Sequence, residues 1–403
     1  MKVLQVNKFN YLRGGADKYF LDLSEMLEKH GVEVAKFCMR DSNNLLSKFE
    51  DYFVSKIDFN SFRFKYLFRI IYNFKAAKKF KRLLEDFKPD IIHIHNIYHQ
   101  ISPSILPVAK KKNIPVVMHV HDYKLVCPNY KMFARDKICE QCKGGKYYKC
   151  LRTKCFKNSL FKSLLASIEM YLHHKVWNIY HKNINLYIAP TEFVKNKLIE
   201  WGVDENKIKI LHHYIDVNEF KPDYEPGDYF VYFGRLSKEK GVDKLVQVMP
   251  EIKDIKLKII GSGPEHKAIQ NKIDALNLKG KVEIMGPKHN NELKEIIRKS
   301  YAVIAPSQWY EVFGLVNLEA AALGKLVIAS KIGGIPEVVK DKQTGLLFQH
   351  DSSEDLIEKI NWALNNPEKV KKMGYQAREF VEQKFKPARH LQDILGVYYK
   401  FIQ

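Results

Sequence analysis

The stretch at residues 305–320 has the residue types and spacing best suited to chemistry. An apolar strand ends there, a turn with Glu311 and Gly314 follows, and a helix with Glu319 comes next. Such a turn leaves unpaired backbone N–H groups at the helix N-terminus, which can bind phosphate. Carboxylates repel phosphate, so we expect both glutamates to accept hydrogen bonds from hydroxyl groups, with Glu319 about 8 Å along the helix. This suggests a sugar, a diphosphate and a ribose, although two such glutamates alone would be ordinary surface residues.

Two cations follow the first strand of the second half of the chain. Gly234 and Arg235 end that strand, and Lys240 lies in the next loop. A planar guanidinium and an ammonium at one strand end suit the stabilisation of a leaving diphosphate. Either cation alone is more typical of a solvated surface, but together they indicate an anion site.

A histidine and an aspartate, His121 and Asp122, end the buried segment 114–122. In open α/β sheets, ligands bind beyond the carboxyl ends of the strands. We therefore expect His121 and Asp122 to lie near a bound ligand. The alternative is a core histidine whose hydrogen bonds are all made within the protein.

Strands and helices alternate along both halves of the chain, whose 403 residues are enough for two domains. This alternation predicts parallel sheets with helices on both faces. Pro and Gly at 220–228 indicate a linker. We therefore expect an α/β protein with two Rossmann-like doubly wound domains, at 1–221 and 228–383, and a C-terminal helix at 384–403.

The net charge of +21 is concentrated in one half of the chain. Residues 1–190 contain 34 Lys and Arg against 16 Asp and Glu, or +18, and the remainder contains 33 against 30, or +3. The first half should therefore favour an acidic partner. Basic, aromatic helices predicted at 61–88 and 159–181 indicate an anionic membrane surface, unless their apolar faces are packed inside. No nucleic-acid motif is visible, so no nucleic-acid partner is expected.

The sequence contains no apolar run long enough to span a membrane, and its first residues lack the apolar core of a signal peptide. We therefore predict a cytoplasmic protein that is peripheral at the inner face of the cell membrane.

Five of the six cysteines lie within an insert at about 123–158 of the first domain. In a cytoplasmic chain, clustered cysteines indicate metal or redox chemistry rather than structural disulfides. Four of them have a spacing that could close a tetrahedral zinc site and stiffen the insert. They are Cys139, Cys142, Cys150 and Cys155. Loosely packed thiols and an iron–sulfur cluster are the alternatives.

Several cofactor motifs are missing from the sequence. Gly261-Ser262-Gly263 is only part of a dinucleotide fingerprint, and there is no phosphate loop ending in Gly-Lys-Ser/Thr and no H-E-x-x-H pair. These absences disfavour a dehydrogenase, an NTPase and a zinc hydrolase.

Four groups of residues occur together in one order: Gly14-Gly15, His121-Asp122, Arg235 with Lys240-Gly241, and Glu311 to Glu319. In this combination the chain resembles the retaining glycosyltransferases of family 4, which have the GT-B fold. The resemblance covers nearly the whole chain, and Val312 departs from the proline that is usual there. It implies two Rossmann-like domains facing each other across a cleft, with the last helix crossing back to the first domain.

The resemblance also implies a role for each candidate residue. Arg235 and Lys240 would hold the donor diphosphate. Glu311 would contact hydroxyl groups of the transferred sugar, Glu319 would contact the ribose, and His121 would lie beside the reacting sugar. The other residues implied to meet phosphate, sugar or base are Gly14, Gly15, Gly234, Gly263, Gly286, Pro287, Phe313, Gly314 and Leu315.

We therefore predict a retaining, hexosyltransferase-like enzyme. It would move a sugar from a UDP- or GDP-sugar to a glycan or lipid-linked acceptor in surface polysaccharide biosynthesis, with no cofactor required for catalysis. Two alternatives stay open. One is a nucleotide-sugar epimerase of the same fold, and the other is a non-catalytic nucleotide-sugar binding module.

Overall fold

The computed structural model describes residues 1–58, 64–253 and 255–402, with only the main chain of residues 64–67. The chain forms two compact units. Unit 1 consists of Met1–Met132, Cys139–Leu211 and Leu391–Gln403, and unit 2 consists of Phe133–Ile138 and His212–His390. Unit 1 is therefore assembled from segments that are far apart in the sequence.

The described residues form fourteen strands and sixteen α-helices. The strands are β1 Lys2–Val6, β2 Glu33–Phe37, β3 Ile91–Ile94, β4 Val116–His119, β5 Phe133–Ala134, β6 Lys137–Ile138, β7 Leu186–Ala189, β8 Ile208–Ile210, β9 Tyr229–Phe233, β10 Lys256–Ile260, β11 Val282–Gly286, β12 Ala302–Ala305, β13 Leu326–Ser330 and β14 Gly345–Phe348. The helices are α1 Gly15–Lys29, α2 Phe64–Ile71, α3 Phe74–Phe87, α4 Leu106–Lys111, α5 Lys149–Thr153, α6 Leu160–Tyr171, α7 Ile179–Asn183, α8 Glu192–Glu200, α9 Val242–Val248, α10 His266–Ala275, α11 Asn290–Arg298, α12 Leu315–Ala322, α13 Ile335–Val338, α14 Ser353–Asn365, α15 Pro367–Lys384 and α16 Pro387–Ile402.

The sheet of unit 1 has the strand order β2-β1-β3-β4-β7-β8, and all of these pairs are parallel. Its central strands are short runs that are buried along their whole length, as expected when helices cover both faces of a parallel sheet. Two of the buried strand residues are histidines, His93 and His119. The sheet therefore carries imidazole groups inside unit 1.

The sheet of unit 2 has the order β11-β10-β9-β12-β13-β14, again with every pair parallel. Side chains alternate between two apolar clusters, with Phe230 and Ile304 in one and Val231 and Val303 in the other. Both faces are therefore covered. The predicted α/β class with two Rossmann-like doubly wound sheets is confirmed, and the neighbours β9 and β12 form the point where the strand order reverses.

The basic, aromatic segment at 61–88, predicted as one or two helices, contains two among the described residues, α2 and α3. The segment predicted at 61–88 breaks at Asn73, whose side chain accepts a hydrogen bond from the Ala76 N–H and caps α3. Phe62 and Arg63 of that segment lie outside the described residues. The prediction of one continuous helix at 159–181 was wrong. It divides into α6, a π-helical turn at Leu172–Val176 and α7.

The π-helical turn coincides with a buried histidine. His173 places its Nε2 atom 2.7 Å from the carbonyl oxygen of Ile71, so a side chain inside unit 1 fixes the helix where its register changes. No helix of the described residues is both long and apolar enough to cross a bilayer.

Candidate active site

The loops after β9 and β12 are held together by main-chain contacts. The N–H of Gln308 donates to the carbonyl oxygen of Glu239 at 2.8 Å. Gly241 has φ of +69°, and a Cβ atom there would come within 2.0 Å of the carbonyl oxygen of Pro306. Only glycine meets both requirements without distortion. This close approach fixes the loop containing Lys240 beside the loop containing Glu311.

Lys240 and Glu311 form an ion pair, in which the Lys240 ammonium donates to the Oε1 atom of Glu311. The Ser307 hydroxyl donates to the same oxygen at 2.7 Å. Burial acts to raise the pKa of Glu311, but the charge of Lys240 and hydrogen bonds from Lys240, Ser307 and Trp309 outweigh it and lower the pKa. Glu311 is therefore an ionised carboxylate that is only 7% exposed.

A third loop, after β13, supports the main chain of Glu311. The N–H of Gly334 donates to the Glu311 carbonyl oxygen at 2.7 Å. A Cβ atom at Gly333 would lie 2.4 Å from that oxygen, so the loop requires glycine. Sequence reasoning gave Ser307, Gly333 and Gly334 no role. The two adjacent glycines after a predicted strand were the signal that could have identified this support.

Helix α12 begins at Leu315 after Gly314, whose φ is +86°, and no side chain caps it. The preceding Phe313 is buried, with its ring centroid 5.0 Å from that of His213. The helix carries Glu319, which is half-buried, about one turn after Leu315. Beneath Gly314 lies the buried amide of Asn317, for which no hydrogen-bond partner exists among the described residues. Sequence reasoning missed Asn317.

The other predicted residues of unit 2 lie in neighbouring loops. Arg235 is exposed, and its guanidinium forms no ion pair with a described residue. A Cβ atom at Gly261 would lie 1.9 Å from the Gly234 carbonyl oxygen, and one at Gly263 would lie 2.1 Å from that of Leu236. These glycines are explained by packing between the loops after β9 and β10.

The end of β11 is less crowded. Gly286 has φ of +71° with open space around it, and Pro287 after it is exposed. The donor-binding roles of Gly234, Gly263, Gly286 and Pro287 stay predictions.

In unit 1, His121 belongs to a stack of histidine rings. Its ring is 4.6 Å from that of His119 and 5.2 Å from that of His95, and its Nε2 atom lies 2.9 Å from Nδ1 of His95. Burial lowers the pKa of His121 to about 3. Burial also raises the pKa of Asp122 to about 6. At neutral pH the His121 imidazole is therefore neutral and can orient a hydroxyl group, but it cannot supply a proton as an acid.

Gly14 and Gly15 lie at the start of α1 and are exposed. Gly14 precedes the first helical residue, no side chain caps the helix, and a Cβ atom there would meet nothing within 4 Å. The N-terminus of α1 is therefore exposed and uncapped, and the closing of this loop on the donor phosphate stays a prediction.

A buried ion pair that sequence reasoning missed connects α6 to the loop after β4. The ammonium of Lys124 lies 2.8 Å from Glu169, and His99 lies 3.4 Å from the same carboxylate. Burial acts to raise the pKa of Glu169, but the charges of Lys124 and His99 outweigh it and lower the pKa. Breaking either contact would leave a buried charge, so α6 is firmly tied to the sheet.

The predicted zinc ligands lie close together but do not form a closed site. Cys142, Cys150 and Cys155 share a small apolar cluster, and the sulfur atoms of Cys150 and Cys155 are 2.7 Å apart. No three cysteine sulfur atoms of the described chain lie within 4.8 Å of one another. Burial raises the pKa of Cys139. Zinc therefore stays a prediction. Binding would require the segment 139–155 to bring its four sulfur atoms closer together and the thiols to lose their protons.

Apolar side chains on α2, α3 and the helical segment after Ser159 form what we call the exposed apolar surface of unit 1. Helices α2 and α6 are in contact, and the ring of Tyr72 lies 5.9 Å from that of Trp177. The exposed side chains are Phe68, Phe74, Leu160, Phe161, Leu164, Ile168, Tyr171, Val176 and Trp177. Monomeric proteins rarely expose so many neighbouring apolar groups unless the surface binds something.

Two family models cover most of the chain. The model for Glycosyltransferase Family 4 matches residues 13–219, and the model for Glycosyl transferases group 1 matches residues 216–380. An uncharacterized glycosyltransferase of Methanocaldococcus jannaschii is 29% identical over 332 residues, which cover 82% of this chain and 80% of the relative.

Solved structures share the fold at low sequence identity. HepE of Anabaena, determined with UDP and with UDP-glucose, matches with a TM-score of 0.68 and 18% identity over 99% of this chain and 100% of its own. The lipopolysaccharide outer core galactosyltransferase WaaB matches with a TM-score of 0.68 and 16% identity over 99% of both chains. The predicted GT-B fold is thus confirmed. With the two family models, this establishes that the chain belongs to glycosyltransferase family 4.

Proposed function

We propose that this glycosyltransferase moves a hexose, with retention of configuration, from a UDP- or GDP-sugar to a glycan or lipid-linked acceptor in surface polysaccharide biosynthesis. The observation that carries the proposal is the Lys240–Glu311 pair. It joins the loops after two adjacent strands, and the second of these loops leads into the uncapped N-terminus of α12. A cation, a carboxylate that can accept hydrogen bonds from hydroxyl groups, and free N–H groups on joined loops suit a sugar diphosphate.

The charges favour departure of the diphosphate without a catalytic metal. Lys240 and Arg235 would stabilise the negative charge that develops on the leaving phosphate oxygens. Glu311 is ionised, but Lys240 and Ser307 already engage one of its oxygens. Glu311 is therefore better suited to accept a hydrogen bond from a sugar hydroxyl group than to attack the anomeric carbon. Retention would then arise when the acceptor attacks from the face that the diphosphate leaves.

The donor is tested by titration with UDP-, GDP- and ADP-sugars and with the free nucleotides. HepE, with the same fold, was solved with UDP and UDP-glucose, which supports a uridine donor here. Glu319→Ala should weaken binding of the free nucleotide, because this residue is proposed to contact the ribose. Glu311→Ala should spare free nucleotide and weaken only the sugar-bearing donor. Equal losses for both ligands in both variants would contradict these roles.

Transfer itself is tested with a radiolabelled donor and extracts of glycans and membrane lipids as acceptors. Label should move to an acceptor with the anomeric configuration of the donor. Conversion of the donor sugar without an acceptor would indicate the epimerase instead. Tight donor binding without any turnover would indicate a binding module.

We propose that unit 1 binds the acceptor and attaches to the anionic inner face of the cell membrane. The exposed apolar surface would enter the lipid interface, and the +18 charge of residues 1–190 would attract acidic headgroups. Each cation near such a surface contributes about 1 kcal/mol, which salt screens. Flotation should show binding to anionic vesicles that weakens as salt rises.

Double replacement of Phe68 and Phe161 with serine should weaken this flotation. Leu46→Ser, which changes an apolar residue that is exposed elsewhere on unit 1, is the matched control. The absence of any preference for anionic over neutral vesicles at low salt would rule out the membrane proposal.

Zinc in the insert is proposed as a structural element only. The protein purified without chelator should contain about one zinc per chain. Cys142→Ser should lose the metal, and Cys38→Ser should keep it, because Cys38 lies in a separate apolar cluster with Phe20 and Phe53. Metal analysis that finds neither zinc nor iron would leave the thiols as core filling.

A further inference from the structure

A cavity of about 570 Å³ lies between the cysteine-rich insert, the π-helical turn and the end of α8. The insert contributes Gly145 and Tyr147, the π-helical turn contributes His174 and Lys175, and Trp201 directly follows α8. All of these residues belong to unit 1. The volume lies within the range of about 300–1,000 Å³ that is usual for pockets that bind small molecules.

The charges around the cavity leave Lys175 without a counter-ion among the described residues. The carboxylate of Glu200, which also lines the cavity, lies 3.2 Å from the Lys143 ammonium and 3.1 Å from that of Lys197. Lys197 also lies 2.8 Å from Glu140. These two lysines and two glutamates offset one another. Lys175 forms no ion pair with a described residue, so its positive charge is available to an anion.

Close packing holds the side chain of Lys175 against the insert. Gly145 has φ of +80°, and a Cβ atom there would lie 2.1 Å from Cε and 2.8 Å from Nζ of Lys175. The lysine side chain therefore crosses the main chain of Gly145, where only glycine leaves room for it. Since both residues line the cavity, the ammonium lies at its wall.

Buried polar groups of the lining lack partners among the described residues. The Nε1 atom of Trp201 and the Nε2 atom of His174 are both buried, and neither makes a hydrogen bond to a described residue. Burial lowers the pKa of His174 to about 3, so its ring is neutral and has one donor and one acceptor. Because buried polar groups are normally hydrogen-bonded, these atoms indicate that the cavity takes a polar ligand.

The lining combines groups that only donate with groups that also accept. The Lys175 ammonium and the Trp201 N–H can only donate, so they suit the acceptor oxygens of an anionic phosphate. The neutral imidazole of His174 and the amide of Asn178, which also lines the cavity, can donate and accept, as hydroxyl groups do. The aromatic rings of Tyr147 and Trp201 add apolar lining, which suits the carbon skeleton of a sugar.

We propose that this cavity binds a phosphate carried by a hydroxyl-bearing ring, as in a sugar phosphate. Lys175 and the Trp201 N–H contact the phosphate, and His174 and Asn178 contact hydroxyl groups of the ring. The choice of a sugar rests on the proposed function, whereas an anion site at Lys175 does not. The site is distinct from the Lys240–Glu311 pair, which belongs to unit 2.

The cavity and the exposed apolar surface share one short segment of the chain. Val176 and Trp177 belong to that surface, and they lie between Lys175 and Asn178, which line the cavity. A ligand of this chemistry therefore has two sources. One is a soluble sugar phosphate, and the other is a lipid headgroup with a phosphate on a hydroxyl-bearing ring, as in phosphatidylinositol.

The soluble source is tested by calorimetric titration of the full chain with α-D-glucose 1-phosphate. Saturating UDP, or the nucleotide that the donor titrations identify, is present throughout so that the donor site is occupied. Lys175→Ala should weaken binding by about 10- to 100-fold, as loss of a hydrogen bond to a charged group does. Lys182→Ala is the matched control, because Lys182 is an exposed lysine of α7 outside the cavity lining and its loss changes the net charge equally.

Trp201→Phe gives a second variant, which removes the indole N–H but keeps an aromatic ring. It should weaken binding of glucose 1-phosphate by about tenfold, because the phosphate loses one donor. Binding that stays unchanged in both Lys175→Ala and Trp201→Phe would overturn the proposed site.

The lipid source is tested by flotation with phosphatidylcholine vesicles that contain either phosphatidylinositol or, at equal charge, phosphatidylglycerol. A headgroup in the cavity should give the wild type a preference for phosphatidylinositol that Lys175→Ala loses and Lys182→Ala keeps. Binding of glucose 1-phosphate without this preference would assign the cavity to a soluble sugar phosphate.

The absence of both glucose 1-phosphate binding and a phosphatidylinositol preference would overturn the proposal. A phosphatidylinositol preference that Lys175→Ala retains, without glucose 1-phosphate binding, would also overturn it. Neither measurement requires sugar transfer, so a protein that binds these probes and transfers no sugar would count against the proposed function alone.

Discussion

The two sheets have the same architecture, but the residues at their strand ends differ in charge. In unit 2, the loops after β9 and β12 carry an ionised pair, Lys240 and Glu311. In unit 1, the residues after β3 and β4 are His95 and His121, which are joined by a hydrogen bond within a stack of rings. Both sites are substantially buried, but Lys240 and Glu311 form an ion pair whereas the His121 imidazole is neutral.

The difference shows that burial alone does not decide the charge of a site. Burial disfavours every charged form, but a partner within hydrogen-bonding distance can reverse the outcome. Glu311 stays ionised because Lys240 and Ser307 contact it. For His121, burial dominates and lowers the pKa to about 3. One fold therefore provides a charged site suited to phosphate and a neutral site suited to hydroxyl groups.

The largest test of this contrast removes the cation of the charged site. Lys240→Ala should lower turnover by on the order of 10²-fold or more, because a preorganised charge is lost. It should also raise the pKa of Glu311, so the remaining activity should fall as pH is lowered. Steady-state kinetics across pH measure both effects.

Lys238→Ala is the control for the same loop. Lys238 is exposed and lies 3.3 Å from Asp136, a surface pair that contributes little. Its turnover should stay within about twofold of the wild type. Equal losses in the two variants would mean that the Lys240–Glu311 pair has no special role.

The second test concerns Asp122, a carboxyl group of unit 1 whose pKa burial raises to about 6. The folded state then binds more protons than the unfolded state between about pH 4 and pH 6, so stability falls as pH rises through that window. Asp122→Asn should remove this fall in stability, because the amide does not ionise. It should stabilise the protein by about 1–3 kcal/mol at neutral pH and have little effect at about pH 4.

Urea unfolding at the two pH values measures this difference. The exposed Asp393, changed to Asn, is the control for a surface substitution. A destabilised Asp122→Asn variant at neutral pH would show that the ionised carboxylate is well paired in the folded protein, and the contrast between the units would fail.

The smallest effect is expected from the glycine that begins α12. Gly314 and Gly280 have φ of +86° and +85°, so alanine at either position costs about 1–2 kcal/mol in the left-handed region. At Gly314 the added Cβ would also lie 2.7 Å from Nδ2 of Asn317, whereas at Gly280 it would meet nothing within 4 Å. Gly314→Ala should therefore cost about 1 kcal/mol more than Gly280→Ala. Equal unfolding midpoints would show that the Asn317 amide moves aside freely.

The sequence predicted the parts of this molecule that depend on local pattern. Apolar runs and glycine turns were sufficient for the two sheets and for the helix after Gly314. The pairing of Lys240 with Glu311 was not predicted, since they are 71 residues apart and each was assigned to a different part of the donor. Strand register brings them together, and periodicity does not report register between distant strands.

The buried contacts that connect Tyr398, Gln5 and His95 to His121 were missed for the same reason. Gln5 and Tyr398 are 393 residues apart, and neither has a local signal that distinguishes it from a core residue. The break of the 159–181 segment was missed because it depends on a contact between His173 and the main chain of Ile71, 102 residues away. Long-range polar contacts in the core are thus what pattern analysis could not supply.

The place of Tyr398 in unit 1 also has a consequence for biosynthesis. A ribosome releases β1 before unit 2, but residues 391–402 of α16 emerge only after all of unit 2 has been made. Multidomain chains tend to fold unit by unit as they are synthesised. Here unit 2 can complete its own sheet while Gln5 and His93 still await the tyrosine hydroxyl. Unit 1 is therefore expected to mature after unit 2, and a chain released before Leu391 would contain a complete unit 2 and an unfinished unit 1.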